Sequence, residues 1–125
     1  MLLAAIDDLA APIAANGASV DVDVPASAKL PPGVEALIFR TVQEGLRNAA
    51  RHSHAKNISV AVRIGRDSAE ASVADDGEGF DPGRRPPGGH LGLRLLEDLA
   101  RDAGGRLTVD SGPGEGTRLK LEVPT

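Results

Sequence analysis

The sequence predicts an α+β fold, a two-layer α/β sandwich in which one mixed sheet of about five strands carries helices on one face and meets water with the other. Three observations predict it. Each strand-like segment alternates apolar with polar residues, whereas a doubly wound parallel sheet would show continuous apolar runs. Two segments carry apolar stripes at helical spacing, and each stripe needs a surface to cover. The chain of 125 residues has no internal repeat, linker or low-complexity block, so residues 1–125 read as a single domain.

The elements follow in order. Residues 2–15, LLAAIDDLAAPIAA, form an Ala/Leu-rich opening helix, which Pro12 is expected to end or kink because it lacks a backbone donor. Asn16-Gly17 is a turn signal. Residues 18–24 alternate strictly, with Val20, Val22 and Val24 inward and Asp21 and Asp23 outward. After a loop from Pro25 to Gly33, residues 34–54 form the best helix, with Ile38, Val42, Leu46 and Ala49 on one stripe. Residues 57–64 are a second strand, with Ile58, Val60, Val62 and Ile64 inward. A short turn leads to a third strand over 69–75, with Ala71 and Val73 inward. Residues 76–90 have no periodicity and are dense in Gly and Pro, so they are loop. Residues 91–103 form a second core helix carrying Leu91, Leu95, Leu96, Leu99 and Ala103, closed by Gly104-Gly105. Strands over 106–110 and 116–123 complete the sheet, the last with Thr117, Leu119, Leu121 and Val123 on one face.

Composition excludes several functions. The absence of cysteine removes disulfide scaffolds and thiolate zinc sites. With no Trp or Tyr and only two Phe, the chain lacks the aromatic platforms of a single-strand nucleic-acid binder. A net charge of −4 argues against phosphate-backbone binding by bulk charge, so no nucleic-acid partner is expected. No apolar run approaches the roughly 20 residues of a membrane span, and no signal-peptide pattern opens the chain, so no direct membrane contact is expected.

Four constellations carry chemistry. On the long helix Glu44, Asn48 and His52 are spaced by four and stack along one side. Such a stripe is ordinarily a solvated face. Here it includes an Asn, a poor mid-helix residue, beside a carboxylate and an imidazole. Mg²⁺ is held by one or two side-chain oxygens together with phosphates and water, and an Asn oxygen one turn from a Glu suits that need. Asp75-Asp76-Gly77-Glu78-Gly79-Phe80 follows a strand directly. It is either a polar turn or a place where the backbone passes close to a flat ligand and a carboxylate accepts a hydrogen bond from an exocyclic amine. It lacks the calcium-loop spacing. Gly88-Gly89-His90-Leu91-Gly92-Leu93 runs into the second helix, whose free N–H groups suit phosphate. Neither a P-loop nor a G-x-G-x-x-G fingerprint occurs. Ser111-Gly112-Pro113-Gly114-Glu115-Gly116-Thr117 is a hairpin loop whose Thr117 can hydrogen-bond a ligand.

In this order the motifs resemble the ATP-binding domain of the GHKL superfamily (HATPase_c; gyrase, Hsp90, histidine kinase, MutL), which has the Bergerat ATP-binding fold. Glu44-Gly-Leu-Arg-Asn48-Ala-Ala-Arg-His52 resembles its N-box, Asp75-x-Gly77-x-Gly79 its first glycine box, Gly89-His-Leu-Gly92-Leu its second, and Gly116-Thr117 its last pair. The stretches FRTVQEGLRNAARHSHA and GGHLGLRLLEDLARDAGGRLTVDSGPGEGTRLKLEVP, with a short lid between the glycine boxes, resemble sensor histidine kinases of the NarL-partner type. The resemblance covers residues 34–123.

The resemblance implies roles. Asp75 would accept from the adenine amino group, with Thr117 and a water nearby. Asn48, with Glu44, would hold the Mg²⁺ that bridges the ATP phosphates, and Glu44 would either act as base or position a water. Arg51 and His52 would lie near the phosphates, cradled by Gly88, Gly89, His90, Leu91, Gly92 and Leu93. Gly77 and Gly79 would bring the backbone to the nucleotide. Arg84 and Arg85 of the lid would add positive charge.

The family's acceptor His lies on a helical dimerisation domain, in a His-Asp or His-Glu context. None of His52, His54 and His90 has an acid beside it. The chain therefore looks like one domain of a larger enzyme, cytoplasmic even where the parent is membrane-anchored. Alone it is expected to be monomeric and weakly active. Its implied partners are ATP, the acceptor domain of the parent kinase and, indirectly, a response regulator. Two alternatives stay open: an anti-sigma-factor-like serine kinase of the same superfamily, and a non-catalytic nucleotide-sensing module.

Overall fold

The structure, a computed structural model, describes residues 2–26, 29–51, 55–79 and 91–125, apart from the side chains of Arg51 and Leu91. The elements run α1 (Leu2–Ala15), β1 (Ser19–Asp23), α2 (Pro32–Arg51), β2 (Asn57–Ile64), β3 (Ser68–Asp75), α3 (Leu91–Asp102), β4 (Arg106–Ser111) and β5 (Thr117–Pro124). The strands form one sheet in the order β1-β2-β3-β5-β4. The β1–β2 pair is parallel and the other three pairs are antiparallel, so the sheet is mixed as expected.

The alternating patterns set the layers. Ile58, Val60 and Val62 of β2, Ala69, Ala71 and Val73 of β3, and Leu119, Leu121 and Val123 of β5 are buried on one face. Ile38, Val42, Leu46 and Ala49 of α2 are buried against them, and α1 adds Leu2, Ile6 and Ala10. Charged and small residues occupy the opposite face, where Lys120 pairs with Glu122 at 3.1 Å and with Glu70 at 3.7 Å. The one buried polar side chain among the described residues, Thr41, returns its hydroxyl to the Leu37 carbonyl at 2.8 Å. No buried donor is orphaned there, so the α2 core stripe tolerates the Thr.

Four expectations about the elements need correction. Pro12 does not end α1, which continues to Ala15. Pro12 and Asp8, whose carbonyl loses its helical donor, lie on the exposed side, where water replaces the missing bond. Helix α2 begins at Pro32 rather than at residue 34: Glu35 N–H bonds the Pro31 carbonyl, which places Pro32 at the first helical position. Ile64 has the inward parity but ends β2 at the hairpin, beyond the helix layer, and is 37% exposed. In α3 the buried stripe is Leu93, Leu96 and Ala100, while Leu95 is 53% exposed and Ala103 is exposed. The leucines of this helix offer two competing stripes, and the sheet takes the one whose small Ala100 lets the helix come close.

Candidate functional site

The site lies where the apolar face of the sheet ends. One cross-strand row reads Ile58, Asp75, Thr117 and Ser111. By parity these residues share the helix-facing side with Val73, Leu119 and Val109, one step along each strand. Three polar side chains thus line the edge of the core. Thr117 is flanked by Asp75 on β3 and Ser111 on β4, and its Oγ1 lies 2.9 Å from Ser111 Oγ. Ser111 also donates to the Gly116 carbonyl at 2.8 Å. Asp75 folds back to accept the Gly77 N–H at 2.9 Å, an Asx-type turn that stops the strand.

Helix α2 is laid beside this row by a missing side chain. A Cβ on Gly45 would fall 2.7 Å from Val73 Cβ, so α2 crosses β3 with backbone against side chain, two residues before Asp75. Glu44 and Asn48, on either side of Gly45 along the helix, are thereby carried to the same end of the sheet. Glu44 is not on a solvated face. Its side chain is 16% exposed, ion-paired with Arg47 at 3.6 Å, and its carboxyl occupies the space a Cβ on Gly92 would need. Gly92 lies in the first turn of α3, so a carboxylate sits at the positive end of that helix, where it is electrostatically favoured. The side chain of Leu93 is 1% exposed and packs in the core, so what Leu93 offers a ligand is its backbone N–H in the same turn.

The two loops beyond the row are interlocked. Gly79 has φ +68° and touches the Gly112 carbonyl, and Gly116, at φ +75°, lies against the Asp75 carbonyl. The Gly114 N–H bonds the Glu78 carbonyl. Gly79 therefore answers first to loop packing. Asp76 anchors the same region from the other side. Its Oδ1 accepts the Lys56 and Asn57 N–H groups at 2.9 Å each, its Oδ2 accepts Asn57 Nδ2 at 2.7 Å, and its own N–H bonds the Asn57 carbonyl at 3.2 Å. The Asn57 backbone and side-chain donors, then the Lys56 N–H, hold the Asp76 carboxyl down to about 2.

Of the residues expected at the site, Glu44 and Gly92 are in contact, and Asp75 and Thr117 are directly paired across β3 and β5, with Gly77 bonded to Asp75. Asn48 is half-buried on α2, one turn from Glu44. Arg51 and Leu91 have described backbone only, while His52, Gly88, Gly89 and His90, with Arg84 and Arg85, lie outside the described residues. Sequence reasoning missed Arg47, Ser111 and Asp76. Arg47 could have been found from its i,i+3 spacing to Glu44. Ser111 directly precedes the loop that Thr117 closes, so hairpin pairing could have matched the two. The Asp-Asp doublet hid two different jobs.

Asn48 and Glu44 carry side-chain oxygens of the kind that a hard cation takes from protein. Among the described residues no three His, Cys, Asp or Glu side chains cluster closely enough to cage a metal. An Asn and a Glu one turn apart supply the one or two oxygens that Mg²⁺ takes from protein when phosphates supply the rest.

The five-stranded mixed sheet, with helices on one side and a polar row ending its covered face, is an architecture shared with known ATP-binding domains. Residues 33–125 match the family described as histidine kinase-, DNA gyrase B- and HSP90-like ATPase, and the chain belongs to that family. Among named relatives, it is 38% identical over 99 residues to an uncharacterized sensor-like histidine kinase of Chloroflexus aurantiacus, matching 73% of this chain and 16% of that protein. It is 34% identical over 91 residues to the oxygen sensor histidine kinase NreB of Staphylococcus carnosus, with 73% and 26% covered. The chain thus spans about a quarter or less of the length of these relatives. The histidine kinase domain of the blue-light activated kinase from Erythrobacter litoralis shares the fold, with a TM-score of 0.78 over 95% of this chain and 57% of that one, at 23% identity. Full-length ShkA in complex with AMPPNP superposes with a TM-score of 0.75 at 25% identity, covering 98% of this chain and 29% of that one.

Proposed function

We propose that this domain binds ATP with Mg²⁺ and presents the γ-phosphoryl group to a His on the dimerisation domain of its parent sensor kinase, from which it passes to an Asp of a response regulator. The observation that carries the reading is the meeting of Glu44 with the first turn of α3 at Gly92, at the end of the sheet that carries Asp75 and Thr117. Base recognition, metal ligation and phosphate binding need to be side by side, and these elements supply one each. The names of the relatives, and the ATP analogue in the ShkA structure, support the same reading.

The roles follow from the chemistry of each group. Asp75, an acceptor on the edge of the core, takes a hydrogen bond from the adenine amino group, with Thr117 beside it. Asn48 and Glu44 would hold Mg²⁺, which when bound would neutralise phosphate charge. Glu44, fixed by Arg47 and by the α3 terminus, orients a water or takes a proton from the attacking group. The N–H groups of Leu91, Gly92 and Leu93 point toward phosphate from the first turn of α3. By the family resemblance, Gly88, Gly89, His90, Arg51 and His52 are the further residues we assign to phosphate binding. Phosphoryl transfer asks mainly for positioning and charge neutralisation, which this set provides.

The domain works in the cytoplasm, where ATP is, and is monomeric when isolated. Among the described residues no helix is long and apolar enough to cross a membrane. Titration with ATP and Mg²⁺ is expected to give heat and a raised Tm. With γ-labelled ATP and the parent's dimerisation domain in trans, the label is expected on His as an acid-labile phosphoramidate. Acid-stable phosphoserine on a small antagonist protein would instead make the domain an anti-sigma-factor-like kinase, and no nucleotide binding at all would remove the reading.

A further inference from the structure

The hydroxyl pair at the end of the sheet has a fixed polarity. Ser111 Oγ lies 2.8 Å from the Gly116 carbonyl oxygen, which can only accept, so the single Ser111 proton is committed there. Ser111 Oγ is also 2.9 Å from Thr117 Oγ1, and that contact needs a proton from one of the two hydroxyls. With Ser111 already donating elsewhere, the proton must come from Thr117. Were the Ser111 proton turned to Thr117 instead, two oxygen acceptors would face each other at the Gly116 contact with nothing between them. Both contacts are satisfied in one arrangement only: Thr117 donates to Ser111, and Ser111 donates to Gly116.

This arrangement determines what Thr117 shows to a ligand. A hydroxyl has one proton and two lone pairs. With its proton spent on Ser111, Thr117 Oγ1 offers lone pairs alone. Its other cross-strand neighbour is Asp75, acceptor-only when ionised. The edge row thus presents two adjacent acceptors.

We infer that Ser111 is a specificity-determining positioning residue, which holds the Thr117 hydroxyl as an acceptor so that the site takes a purine with a 6-amino donor and rejects one with a 6-oxo acceptor. The inference rests on the ATP reading above and deepens it. Adenine carries an amino donor at the position where guanine and hypoxanthine carry a carbonyl acceptor. A 6-oxo group would bring its lone pairs against those of Asp75 and Thr117. Asp75 alone cannot complete this discrimination, because a freely rotating Thr117 hydroxyl would donate to the carbonyl and offset the repulsion. Ser111 removes that option without touching the base.

The test compares ATP with inosine triphosphate, which replaces the 6-amino donor by a 6-oxo acceptor and, with it, the N1 lone pair by an N1–H. Affinities for both, with Mg²⁺, are measured on the wild-type chain and on Ser111→Ala, Ser111→Cys and Ser111→Thr. Wild type is expected to prefer ATP. Ser111→Ala frees the Thr117 proton and narrows the ATP-to-ITP ratio by about five- to tenfold, the worth of one neutral hydrogen bond. Ser111→Cys, near in size but a weak acceptor, narrows it in the same direction, and Ser111→Thr keeps the wild-type ratio. Should Ser111→Ala fail to fold, the Cys and Thr variants decide. An unchanged ratio in the Ala or Cys variant, or an equal loss for both nucleotides, would overturn the inference while leaving ATP binding intact. A wild-type chain that binds neither nucleotide would instead overturn the reading on which it rests.

Discussion

Two rows of the same sheet face, two residues apart along each strand, behave as different materials. Val60, Val73 and Leu119 are each at most 2% exposed and serve only to bury apolar surface. The next row begins with the buried Ile58 and continues with Asp75, Thr117 and Ser111, whose polar atoms bond backbone and one another while remaining part-exposed. The strands continue through both, so the difference lies in what covers them. Helix α2 presses onto β3 at Gly45, directly over Val73. Beyond that crossing, among the described residues, Glu44 meets Gly92, and the row's polar side chains stay partly exposed. The core is the rigid floor against which the site is positioned, and the site is where the core stops.

The largest expected effect breaks the comparison on the core side. Leu119→Ala should cost about 2–5 kcal/mol of stability, as buried leucines typically do, read as a lowered midpoint in urea. The fraction still folded should bind nucleotide normally. Asp75→Asn should leave the urea midpoint nearly unchanged. If both variants lose stability alike, the two rows are one core and the distinction fails.

Gly92→Ala should come next. The added methyl competes with the Glu44 carboxyl for the same space, so either Glu44 or α3 must move. Mg²⁺-dependent nucleotide affinity is expected to fall about tenfold, roughly the cost of one displaced charged contact. Binding measured in EDTA should change much less. Equal losses with and without Mg²⁺ would mean that Gly92 serves α3 packing alone.

A smaller effect separates Asp76 from Asp75. The Asp76 carboxyl is held at about 2 against an ordinary 3.8. Its folded value is depressed, so the stability it contributes is present above about pH 4 and is lost as pH falls toward 2. Asp76→Asn should flatten the acid-unfolding curve in that window, as followed by circular dichroism. A curve identical to wild type would show that the Asn57 and Lys56 contacts hold nothing that matters. The smallest effect belongs to the wet face. Lys120 is raised above its ordinary value by Glu122 and Glu70, so its contribution is complete below about pH 10.5 and fades above it. The pair is exposed and screened. Lys120→Met should change neither nucleotide binding nor the urea midpoint measurably.

Much of this was legible in the sequence, and what was not has physical reasons. Alternation located all five strands because a sheet with one wet face writes itself with period two. Asp75 and Thr117 were legible as motif residues, but their direct pairing was not, since register depends on where hairpins close. Leu95 and Leu93 were exchanged between core and surface because α3 is leucine-rich on both sides, and only Ala100 breaks the tie. Ser111 was invisible for another reason: its role is to orient a neighbour's proton, and no composition or spacing signals that. Asp76 lay inside a motif whose neighbour drew the chemical reading.

The central claim is that the polar row begins a nucleotide site and Asp75 reads the base. Its most direct test is a calorimetric titration of ATP in Mg²⁺ into wild type and Asp75→Asn, with Asn48→Ala titrated with and without the metal. Wild type should bind with measurable heat, and Asp75→Asn should lose about ten- to a hundredfold in affinity, the worth of a charged hydrogen bond. Asn48→Ala should lose affinity only when Mg²⁺ is present. If Asp75→Asn binds ATP as tightly as wild type, the base is not read by this row and the account is wrong.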